Sequence, residues 1–162
     1  MNGWNIYCFE ANTNLIQKIK KYHKNVYNYA ICDTNKDFVE FNIVNSGQNN
    51  WTAGYSAIEL NEDYDRLFPC DNKIITKIKV PQKTLNTIFE NEINISKIDI
   101  MSIDVEGGEL GVLRGLDLEI YTPTIIVVEN VTHSYDIQNY LEKFGYNVDK
   151  NVHYNYFFKR TV

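Results

Sequence analysis

The sequence predicts an α/β fold: one domain over residues 1–162 with a mostly parallel sheet. Three observations carry this. Residues 98–130 read as one strand–helix–strand unit, and residues 5–31 read as another. Strand-like and helix-period segments alternate along the chain, as α/β architecture requires. Acids or amides stand where the apolar strand runs end, at Glu10, Asp33, Asp104 with Glu106, and Glu129 with Asn130.

Residues 5–10 (NIYCFE) form a short apolar run ending in an acid and predict a strand. Asn12 or Thr13 can cap a helix whose Leu15, Ile16 and Ile19 share one face, with lysines outward. Residues 26–31 (VYNYAI) predict the next strand, closing on Cys32 and Asp33. Residues 38–44 alternate enough to be a strand. Residues 45–71 are rich in Asn, Gly, Asp and Tyr, and predict a long functional loop. Residues 74–80 (IITKIKV) suit a half-exposed strand. Thr84 then caps a helix over 85–91 with Leu85, Ile88 and Phe89 inward.

Residues 98–103 predict a strand, Gly107-Gly108 a turn, and 109–114 a helix stopped by Gly115. Residues 124–128 (TIIVV) are β-branched and continuously apolar, which predicts a strand covered on both faces. Ile137, Tyr140, Leu141 and Phe144 lie on one helical stripe ending at Gly145. Residues 146–149 and 154–159 predict two closing antiparallel strands.

A net charge of −5 argues against a phosphate-backbone binder, so no nucleic-acid partner is expected and a small-molecule substrate fits better. Three cysteines without paired spacing suit reduced thiols in a cytoplasmic setting and offer no zinc site. No secretory signal pattern and no membrane-length apolar run is present, so no membrane partner is expected.

In open parallel sheets ligands sit beyond the carboxyl ends of the strands. Glu10 there could accept both hydroxyls of a nucleoside ribose, or could simply favour the positive end of the following helix. Asp33-Thr-Asn fits a site but is also ordinary turn chemistry, the plainer alternative. Asp104 and Glu106 lie between an apolar strand and a Gly-Gly turn, where they could orient a hydroxyl, take its proton or hold a cation. The plainer alternative is that Glu106 and Glu109 favour a helix start. His133 could act as a base near neutral pH, or be a surface loop residue. Trp51 and Tyr55 could line a pocket or pack the loop. The aromatic run 154–158 favours sheet packing over base stacking.

These residues resemble the FkbM family of S-adenosylmethionine-dependent methyltransferases. The likeness rests on Phe9-Glu10-Ala11-Asn12, on Ala30-Ile31-Cys32-Asp33, on residues 80–85, and above all on residues 101–109 (MSIDVEGGE) with Leu113-Arg114-Gly115. Residues 123–129 and Gly145-Tyr146 also fit. The resemblance implies a class I methyltransferase (Rossmann-like) fold and methyl transfer from S-adenosyl-L-methionine to a hydroxyl of a sugar or natural-product-like small molecule. It implies that Glu10 holds the cofactor ribose, that Ala30, Ile31 and Asp33 border the adenine, and that Asp104 and Glu106 face the methyl group and acceptor. No metal ligand is assigned, and metal dependence stays open.

The chain departs from the family pattern at its start. Family members carry a strand, a glycine-rich D-x-G-A-N-x-G loop and a helix before the segment matching Phe9-Glu10, and such a unit needs roughly 25–30 residues. Here nine residues precede Glu10. The expectation is a sheet missing or replacing its first strand, completed by a further N-terminal segment or by another chain in a homo-oligomer. The competing readings are a methyltransferase-fold remnant or binding module that has lost cofactor binding, and a different α/β enzyme using a metal at Asp104 and Glu106.

Overall fold

The computed structural model describes residues 3–46, 56–60, 62–67 and 73–161. The first unit is the expected βαβ. Strand β1 (Tyr7–Phe9) leads into helix α1 (Thr13–Ile19), and β2 (Asn25–Tyr27) returns parallel to β1. Asn12 caps α1 by accepting a hydrogen bond from the Asn14 amide, and Ile16 is buried beneath it.

The strand expected over 26–31 is two strands. Asn28 interrupts it: its side-chain amide donates to the carbonyls of Glu10 and Ala11, at 2.8 and 3.0 Å. The chain then leaves β1 and enters a different sheet as β3 (Ala30–Ile31), parallel to β5 (Lys73–Lys83). β5 also pairs antiparallel with β4 (Lys36–Ser46), giving the order β3-β5-β4. Within the segment read as a long loop, α2 (Glu62–Leu67) is helical.

Helix α3 (Leu85–Asn91) begins where Thr84 predicts, the Thr84 hydroxyl accepting from the Thr87 amide. Strand β6 (Ile100–Ile103) and helix α4 (Glu109–Arg114) follow, and β7 (Ile125–Glu129) runs parallel to β6. Helix α5 (Tyr135–Glu142) and the antiparallel pair β8 (Tyr146–Val152) and β9 (Asn155–Arg160) complete the order β6-β7-β9-β8. β7 is buried at Ile126 and Val128 and half-buried at Ile125, Val127 and Glu129, so one of its faces is covered less completely than its apolar run predicts.

The architecture is α/β with mixed sheets. The mostly parallel expectation holds for three pairings, β1 with β2, β3 with β5, and β6 with β7; the other three named pairings are antiparallel. The physical reason lies in β4 and β5, whose outer faces are largely exposed. A sheet wet on one side suits antiparallel pairing.

The main core joins α3, α4 and α5 to β6, β7, β8 and β9 through Leu85, Ile88, Leu113, Ile126, Val128, Leu141, Tyr146 and Phe158. Each such side chain contributes about 1.5–3 kcal/mol on burial. A smaller cluster of Ala11, Ala30, Phe41, Ile43 and Val80 holds the β3-β5-β4 sheet.

Strands β1 and β6 do not pair with each other. Among the described residues each has a single strand partner, β2 and β7 respectively. A cavity of about 770 Å3 lies between them, lined by consecutive residues 3–9 and 94–105. Residues on one face of a strand alternate, so an unbroken run of lining residues means the cavity meets the edges of both strands. No helix among the described residues is long and apolar enough to cross a membrane.

Candidate functional site

The site stands where β1, β6 and β7 end. Parallel register aligns Ile103 with Val128, so the next residues, Asp104 and Glu129, emerge side by side. The chain after Asp104 turns sharply, with Glu106 at φ 57° and Gly107 at φ 100°. Positive φ costs a non-glycine residue energy, and such strain is tolerated where surrounding structure imposes it. The turn returns Glu106 toward the other two acids. Carboxylate oxygens of Asp104, Glu106 and Glu129 all lie within 4.8 Å of one another.

Like charges this close resist ionisation together. The Glu106 carboxyl is pushed up to about 8, first by burial and then by the charges of Asp104, Glu129 and Glu109. Glu129 is pushed up to about 7 by burial, by the Asp104 charge and by a hydrogen bond with Asp104. The cluster therefore binds protons near neutral pH and favours any positively charged group placed beside it.

Glu10 follows Phe9, the last residue of β1, which lines the cavity. One of its oxygens, Oε1, accepts from the Asn12 amide at 2.7 Å. Burial raises its carboxyl, the Asn12 and Ala11 amides oppose that, and the Asp104 charge raises it further. That influence brings the Asp104 charge within reach of Glu10.

Of the acids singled out in the sequence, the structure brings Asp104 and Glu106 together, and Glu10 feels the Asp104 charge. Ile31 lines the cavity, while Ala30 is buried in β3 within the smaller core. Asp33 is exposed beyond β3, its carboxylate accepting from the Cys32 thiol at 3.6 Å. His133 is exposed at φ 53°, and its Nδ1 is 2.7 Å from the Tyr156 hydroxyl. Its ring packs against Tyr154 and Tyr156, with centroids 5.7 and 5.9 Å away, and no described contact links it to the carboxylates. Trp51 and Tyr55 lie outside the described residues.

Two members of the site escape the sequence reading. Glu129 appears there only as a polar strand end, and the signal that could have singled it out was the adjacency of β7 to β6. Glu109 appears only as a helix-start acid, yet it is buried at 5% exposure directly behind the turn.

Comparison with protein-family models gives a match to the methyltransferase FkbM domain over residues 1–148. No curated protein and no solved structure matches the chain.

Proposed function

The chain belongs to the methyltransferase FkbM family, and from that premise we propose that it is an S-adenosyl-L-methionine-dependent O-methyltransferase acting on a hydroxyl of a sugar or natural-product-like small molecule. One observation carries the reading: Asp104, Glu106 and Glu129 gather within 4.8 Å at the ends of β6 and β7, Asp104 lines a 770 Å3 cavity, and its charge reaches Glu10 at the end of β1. That volume is in the range of small-molecule sites.

The cofactor would supply an electrophilic methyl group on a positively charged sulfur. The residues present fit part of it. Glu10 keeps its second oxygen, Oε2, for the ribose hydroxyls, Ile31 offers an apolar wall for the adenine beside Ala30 and Asp33, and the acid cluster complements positive charge. The acceptor hydroxyl must lose a proton as its oxygen gains the methyl group. Glu129, pushed up to about 7, is suited to receive that proton near neutral pH, whereas Glu106, pushed up to about 8, mostly holds one there already. Asp104 would orient the acceptor oxygen in line with the methyl carbon, and Glu129 would take the proton. His133 is kept as a candidate base only by its place just beyond the end of β7, since its ring contacts Tyr154 and Tyr156.

The slot between β1 and β6 supports the further reading that the sheet lacks its first strand. Filling it with one strand parallel to both would join β2-β1 to β6-β7 and yield the predominantly parallel order of the family. A preceding segment or a second copy of the chain would supply that strand and the glycine loop for the methionine end. Free, half-buried Cys8 and Cys32 suit a reducing cytoplasm.

The same slot favours the second reading, a methyltransferase-fold module without cofactor binding. Isothermal titration with S-adenosyl-L-homocysteine separates the two. The expected result is binding that Glu10→Ala weakens at least about tenfold, in this chain or in a version extended ahead of Met1 by a strand, glycine loop and helix. No binding by either version would sink the enzyme reading.

A further inference from the structure

The turn that carries the acid pair is held from behind by a single carboxylate. Glu109 opens helix α4 and is 5% exposed. Its Oε1 accepts from the Val105 amide at 3.2 Å and from the Gly107 amide at 3.0 Å. Those two amides belong to the residues immediately following Asp104 and immediately following Glu106. One oxygen thus grips the backbone on the far side of each acid.

Nothing else described does this work. Gly108, the residue before the helix, contributes no side-chain cap. The turn itself is costly at Glu106, a non-glycine residue at positive φ, whereas Gly107 takes its positive φ freely. A turn in that conformation needs outside restraint to persist. Glu109 supplies it by reaching back from the first position of its helix, much as the glutamate of a capping box does from the third.

We infer that Glu109 is a positioning residue, whose carboxylate oxygen fixes the 104–108 turn so that Asp104 and Glu106 meet Glu129 at one point. It does not touch the acceptor or the cofactor; it acts through the two acids. Its place in methyl transfer rests on the function proposed above, whereas the geometric role does not. The protonation behaviour fits a bound, restraining carboxylate: burial raises Glu109, and the amides of Gly107, Glu109 itself and Val105 pull it back down.

The test compares Glu109→Gln, which keeps a carbonyl oxygen in the same place, with Glu109→Ala, which removes it. Two readouts are used on the full chain: hydrogen exchange of the Val105 and Gly107 amides, and carbon-detected titration of the Glu106, Glu129, Asp104 and Glu10 carboxyls. Glu109→Gln is expected to hold exchange within about threefold of the parent and to leave Glu106 titrating well above an ordinary carboxylate. Glu109→Ala is expected to speed exchange at both amides by at least about tenfold and to drop Glu106 toward the ordinary range.

A folded Glu109→Ala chain with both readouts unmoved overturns the inference, because Glu109 would then only fill space. If Glu109→Ala does not fold, the glutamine variant decides alone: parent-like readouts support the inference, and freed amides with a normalised Glu106 overturn it. Methyl transfer is scored separately. Absence of transfer by the parent counts against the function proposed above and leaves the exchange and titration results to stand on their own.

Discussion

Glu106 and Glu129 hold protons in the folded chain at pH values where the unfolded chain would release them. Both folded carboxyls titrate higher than their ordinary value, near 8 and near 7. The folded state therefore binds more protons between about pH 4.5 and 8, and stability must fall as pH rises through that window. The stabilising contribution is complete below the ordinary carboxylate value and is lost through 7 and 8. The slope is at most about 1.4 kcal/mol per pH unit for each group. Urea denaturation at pH 5 and pH 8.5 should show the chain more stable at the lower value, and Glu106→Gln should flatten the difference. Asp104→Ala removes a charge that raises both neighbours, so both should titrate lower in that variant. The same change is expected to abolish methyl transfer in a cofactor-binding version while leaving the fold largely intact, as circular dichroism and an activity assay would show together.

Helix α4 is fixed at both ends, by different means. At its start Glu109 holds the turn. At its end Gly115 meets the chain just after β3 so closely that an added Cβ would lie 2.2 Å from the Cys32 carbonyl oxygen. No side chain fits there. Gly115→Ala should therefore destabilise the protein by about 1–3 kcal/mol, read as a lower urea midpoint, because backbone rather than a flexible side chain must move. The close approach also explains why residues 30–33 lie beside the cavity although β3 belongs to another sheet. Tyr146 shows a different kind of element-level constraint: it is fully buried, and its hydroxyl donates to the Pro123 carbonyl at 2.7 Å. Tyr146→Phe leaves that carbonyl unsatisfied and should cost about 1–3 kcal/mol in the same measurement.

Across the whole molecule, stability is concentrated in one part. The β6-β7-β9-β8 sheet and three helices share the large core, whereas β1 and β2 are three-residue strands that pair with each other alone among the described residues. A two-stranded unit is marginal by itself. Amides of β1 and β2 should exchange at least about 100-fold faster than those of Ile126 and Val128, measured by hydrogen exchange on the free chain. Binding of a ligand at the cavity mouth should narrow that gap, since Glu10 and Asp104 belong to the loose and the rigid part respectively.

Much of this was legible locally. The Thr84 cap, the α4 boundaries at Glu109 and Gly115, and the strands over 100–103 and 125–129 follow from capping chemistry, glycine placement and apolar periodicity, all of which act within a few residues. Glu10, Asp104 and Glu106 could be singled out because strand ends are visible in sequence. The break at Asn28 could not, since it depends on carbonyls 17 and 18 residues away. Nor could the antiparallel pairing of β4 with β5, because strand direction is set by which edges meet after folding, whereas the closing antiparallel pair β8-β9 was expected. Glu129 joined the acid cluster only through its register beside β6, and Glu109 gained a role only once the turn ahead of it was seen to need an acceptor. Sequence determined the family, the elements and the acids that end the strands. Tertiary structure decided which acids share protons and what holds them, because both depend on distances of a few ångströms between segments that the chain alone does not relate.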